Sequence, residues 1–82
     1  MKVLASHAAR GLKDLTALLS DTVDLVDPGF VVCKGVAGNV AVIDYMGNTS
    51  IYPIGLNETL PVIITRVKST GTTATGLWLY VR

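Results

Sequence analysis

Apolar and polar residues alternate cleanly near the end of this chain. From Leu77 onward, Leu77, Leu79 and Val81 fall on one face of an extended strand, and Trp78, Tyr80 and Arg82 on the other. Upstream, Val62 to Val67 is rich in β-branched residues, which suit a pleated surface better than a helix. Thr70, Thr72, Thr73 and Thr75 lie between the two runs with Gly71 and Gly76, which can supply positive φ at a turn or bulge. The pattern predicts an antiparallel strand pair, joined by a Thr/Gly linker, as the spine of a small β domain.

The same reading places strands at Phe30–Lys34, Val40–Tyr45 and Ser50–Ile54, with turns at Gly38-Asn39 and Met46-Gly47-Asn48-Thr49. Pro53 demotes its strand to a sheet edge or marks a bend. Turn signals recur about every 8–12 residues, the spacing of an all-β sandwich or small barrel, here of about five to seven strands. Residues 1–19 differ. Leu4, Ala8, Leu12, Leu15 and Leu19 fall at helical spacing, while Gly11 weakens a helix by roughly 1 kcal/mol relative to Ala. That segment reads as either a short amphipathic helix or an extended arm that orders on a partner, leaving 20–82 as the β domain.

Length and composition turn this pattern into an expectation of assembly. A chain of 82 residues forms one domain and buries only roughly 60% of its unfolded surface. Domains this small usually need a disulfide, a metal or other copies. Cys33 is the only cysteine, half the residues are hydrophobic and only 16% are charged. Some apolar surface should therefore be covered by other chains. The charge of +1 argues against a nucleic-acid binder, which carries a basic stripe. No apolar run approaches the roughly 20 residues of a spanning helix, and Val3-Leu4-Ala5 is too short for a signal-peptide core. Neither nucleic acid nor membrane is expected as a partner, and synthesis is expected in the cytoplasm.

Catalytic chemistry finds no constellation. His7 is the single histidine, in the N-terminal segment, and reads as a solvated residue. Cys33, inside a strand, reads as a small buried hydrophobe. Asp21, Asp24 and Asp27 recur at every third position but lack the order of a calcium loop, so turn formation explains them better. Gly71 to Gly76 has the glycine spacing of a phosphate loop, yet Leu77-Trp78 follows where Lys-Ser/Thr would be needed. Arg66, Lys68 and Arg82 read as solvated strand ends rather than an anion site. No catalytic, cofactor or metal residues are expected. Trp78 and Tyr80 suit a sugar platform or, better, an interface between subunits. The interface set expected from sequence is Leu4, Leu12, Leu15, Leu19, Trp78, Tyr80 and Arg82.

The stretch Arg66-Val-Lys-Ser-Thr-Gly-Thr-Thr-Ala-Thr-Gly76, followed by a terminal strand, resembles the signature of the spike base proteins of tailed phages and gene transfer agents. Ser20-Asp-Thr-Val-Asp-Leu25 resembles that family's segment ahead of its first strand, and the similarity covers about Ser20 to Arg82. Residues 1–19 depart from it, because the family often carries a Pro-rich arm there. The resemblance implies a non-enzymatic virion protein on the capsid surface, a homo-oligomeric ring, most simply a pentamer. Its implied partners are the major capsid protein and a spike or fibre protein. A capsid decoration (cement) protein and a carbohydrate-binding module are the alternatives.

Overall fold

The computed structural model describes residues 11–82. These residues are all-β: six strands form one antiparallel sheet. They are β1 (Gly11–Asp14), β2 (Gly29–Val36), β3 (Gly38–Asp44), β4 (Thr49–Ile54), β5 (Ile64–Val67) and β6 (Thr75–Val81). Their spatial order is β1-β6-β2-β5-β3-β4. Val31 and Cys33 of β2, Val40 and Val42 of β3, Ile64 and Val67 of β5, and Leu77 and Leu79 of β6 all enter one buried cluster. No helix among the described residues covers that face; Leu15, Leu60 and Ala74, which lie outside the strands, join the cluster, and Leu19, Leu25 and Val62 pack against it.

The strand positions follow the sequence pattern, but the pairing does not. The expected β5–β6 pair is absent. β2 lies between them, running along β6 from Gly29↔Val81 to Val36↔Thr75 and touching β5 at Gly29↔Ile64. Burial gives the reason. β2 carries three consecutive buried residues, Val31, Val32 and Cys33, and a strand buried on both faces belongs inside a sheet. Gly38-Asn39 is likewise no hairpin turn: both residues belong to β3, and the chain changes sheet neighbours around Ala37. The β3–β4 hairpin is as expected. Asp44 Oδ1 accepts from the N–H groups of Met46 and Asn48, both at 2.9 Å, and Gly47 takes a positive φ of 87°. β4, with Pro53, is an edge strand.

Residues 11–19, expected as helix or arm, join the sheet. β1 pairs with β6 from Gly11↔Val81 to Asp14↔Trp78. Leu15 then donates its N–H to Leu77 at 3.0 Å and is fully buried in the core. The helical spacing of Leu12, Leu15 and Leu19 arises instead from a strand followed by a turn at residues 16–18. Pairing with β6 offers every other β1 amide a partner, whereas a helix would have had to accommodate Gly11.

Candidate functional site

The expected Thr/Gly linker is a built element. β5 is too short to pair with all of β3, and the threonines complete the ladder. The Ala41 N–H donates to Thr72 Oγ1 at 3.0 Å, and the Asn39 N–H to Thr73 Oγ1 at 2.9 Å. Asn39 in turn accepts from the N–H groups of Thr73 and Ala74, while the Thr72 hydroxyl donates to the Lys68 carbonyl at 2.6 Å. Thr65 is the unpaired extra residue of a bulge between β5 and β3, and its hydroxyl reaches the carbonyls of Ile43 and Asp44.

Onto this element the Ser20–Leu25 segment is fastened. Thr70 gives Asp21 both its N–H (2.8 Å) and its hydroxyl (2.5 Å). Arg66 Nε donates to Asp24 at 2.9 Å and Nη1 to the Asp21 carbonyl at 3.2 Å. Backbone bonds from Ser20 to Val67 and from Leu25 to Thr65 complete the seam. The two segments that carry the sequence resemblance are thus one structural unit. The Thr70 hydroxyl and N–H, with the nearby Lys68 charge, hold the Asp21 carboxyl below its ordinary value. Thr16 does the same for Asp14, chiefly through its backbone N–H. The threefold-spaced aspartates find separate partners: Asp21 at Thr70, Asp24 at Arg66 and Asp27 at Lys13, 3.5 Å away.

Trp78 and Tyr80 share the outer face, opposite the buried Leu77 and Leu79, as the alternation predicted. Pairing registers place their neighbours. Leu12, Tyr80 and Phe30 form one cross-strand row over β1, β6 and β2, and Asp14, Trp78 and Val32 form the next. Leu12 is 57% exposed, Phe30, Trp78 and Tyr80 are half-buried, and Val32 is buried. The result is an outward aromatic and aliphatic patch on a rigid sheet, a form suited to docking another protein surface.

The remaining expected interface residues divide. Leu15 is consumed by the chain's own core and is unavailable to a partner. Leu19 packs against that core from outside. Arg82 is exposed at the end of the sheet, its N–H donating to Pro28. Leu4 and His7 lie outside the described residues. Cys33 is buried, its thiol directed at the carbonyls of Val36 (3.3 Å) and Thr75 (3.6 Å). Sequence reasoning missed Phe30 as a member of the patch, because its place beside Tyr80 depends on a long-range register. It also missed exposed apolar residues in loops, notably Val26 (89% exposed) and Met46 (83%). Val26, with Leu18, Leu19, Val23 and Leu25, lines a shallow groove of about 300 Å³.

No protein-family model matches the chain, and no curated protein matches it significantly. Among solved structures, a chain from the capsid of a native gene transfer agent particle, computed with C5 symmetry, matches with a TM-score of 0.75 and 31% identity. The match covers 98% of this chain and 99% of that one. Similarity of sequence and fold over the full length of both partners marks common descent: this chain belongs to the same family as that gene transfer agent capsid component.

Proposed function

We propose that this chain is a structural protein of a phage-like particle, assembling into a ring on the head and anchoring a spike or fibre there. The observation that carries the reading is the full-length match to a component of a gene transfer agent capsid. The C5 symmetry of that particle favours five copies per ring. The motif seam of Asp21, Asp24, Arg66 and Thr70 supports the finer assignment to a spike base, because it makes one rigid element from the two segments that resemble that family. The outer row of Leu12, Phe30 and Tyr80, with Trp78 beside it, offers the apolar surface such a ring needs.

Deleting the gene for this chain should leave closed, DNA-filled heads that lack spikes, seen directly in electron micrographs. Heads that break open under osmotic shock would instead mark a cement protein. Spiked heads that also withstand the shock would overturn both assignments.

A further inference from the structure

The two edges of the sheet carry unpaired backbone groups whose positions can be assigned. On β3, Asn39 and Ala41 bond toward the threonine loop, away from β4. An antiparallel ladder alternates, so Ser50, Tyr52 and Ile54 are the β4 residues that bond to β3. Thr49, Ile51 and Pro53 therefore direct their backbone outward, and Pro53 lacks the N–H. On β1, the Leu15 N–H donates to Leu77, so by the same alternation Leu12 and Asp14 face away from β6. Among the described residues neither edge has a neighbouring strand.

We propose that copies of this chain join head to tail by strand addition, β1 of one copy pairing with β4 of the next, Leu12 opposite Ile51 and Asp14 opposite Thr49. Strand direction alternates across an even number of strands, so β1 continues the sheet beyond β4 in the antiparallel sense. In this register both pairs can exchange their N–H and C=O groups, and Pro53 faces neither Leu12 nor Asp14. Leu12 (57% exposed) and Ile51 (59% exposed) both project from the outer face and would meet there. The competing arrangements are poorer. Sliding by two residues sets Leu12 against Pro53 and loses a donor. Pairing β1 with β1 about Lys13 places like charges opposite each other. Pairing β4 with β4 about Ile51 sets Pro53 against Thr49.

A head-to-tail contact of this kind generates rings when its rotation closes. The inference rests on the ring reading above and supplies its joint. It also gives each exposed edge a partner, removing a template for uncontrolled aggregation.

Oxidation of an assembled Leu12→Cys, Ile51→Cys double variant of the full chain tests it. Opposed Cα atoms of a hydrogen-bonded antiparallel pair lie about 5.5 Å apart, within the span of a disulfide, and native Cys33 is buried. The expected result is a ladder of disulfide-linked multimers ending at the ring, with neither single variant cross-linking. Ile51→Lys, which charges the edge, should weaken self-association about tenfold or more in sedimentation. An assembled ring that yields no ladder would overturn the joint while leaving the ring standing. Covalent dimers from Ile51→Cys alone would replace it with two-fold pairing. A chain that stays monomeric at every concentration would overturn the ring itself.

Discussion

On the inner face of β6, Leu77 and Leu79 are sealed by strands of the same chain, whereas on its outer face Trp78 and Tyr80 remain half-buried beside an exposed Leu12. Two alternating sets of residues on one strand thus have different destinies. The difference corrects the simplest reading of a short, apolar chain, that other copies must complete its core. The core is complete within one chain, down to a fully buried Leu15 recruited from the N-terminal segment. The apolar surplus lies outside: on the β1-β6-β2 patch, at the β4 edge and in the 18–26 and 45–46 loops. The proposed assembly would then add to a folded unit rather than finish an unfolded one.

The largest expected effect separates these two faces. Leu79→Ala empties a site at the centre of the inner cluster and should cost about 2–5 kcal/mol of folding stability. Tyr80→Ala, one residue away, removes cross-strand contacts with Leu12 and Phe30, each worth roughly 0.2–1 kcal/mol. Denaturant unfolding of each variant at a concentration where the chain is monomeric measures both. Equal losses would mean that the outer row belongs to the core and would erase the distinction.

Backbone packing within the sheet gives the next effect. Gly76 has φ of 66°, and a Cβ there would lie 2.6 Å from the Gly35 Cα and N across the β2–β6 bulge. Gly47, with φ of 87°, has nothing within 4 Å of such a Cβ. Gly47→Ala should therefore cost only the left-handed penalty, about 1–2 kcal/mol. Gly76→Ala should add to that the displacement of two strands. Thermal melts showing the same loss for both would mean that β2 and β6 yield freely at the bulge, contrary to a rigid outer platform.

The strands were legible in sequence because alternation is local, and their order was not because pairing is long-range. Among the described strands, only β3 and β4 are neighbours both in sequence and in space. Pro53 correctly marked an edge, since a missing donor is a local property with one tolerable location. The threonine string misled for the opposite reason. Its hydroxyls take the place of strand backbone at Ala41 and Asn39, a use that no periodicity records. Leu12 and Leu15 share a face in the helical pattern but not in the fold, because a strand turning into a loop sends one outward and the other into the core. Trp78 and Tyr80 could be set on one face from their spacing. Their companion Phe30 could not, lying far away in the sequence.

The smallest expected effect concerns the seam between Ser20–Leu25 and the threonine element, and unlike the inner face it should titrate. The Asp21 carboxyl is held below the ordinary value of 3.8, first by the Thr70 hydroxyl and then by the Thr70 N–H. A folded-state pKa below the unfolded one gives stability that is fully present above the unfolded value and lost as pH falls through the folded one. Asp21→Asn should therefore lower stability at neutral pH, and its stability–pH curve should converge with that of the unaltered chain below the folded pKa. Leu79→Ala should shift the whole curve without changing its shape, because no charge is altered there. A gap between Asp21→Asn and the unaltered chain that stayed constant from pH 7 to pH 2 would show that the carboxylate charge contributes nothing at Thr70. The seam would then be held by Arg66 and the backbone bonds alone, and polar and apolar faces would no longer differ in what holds them.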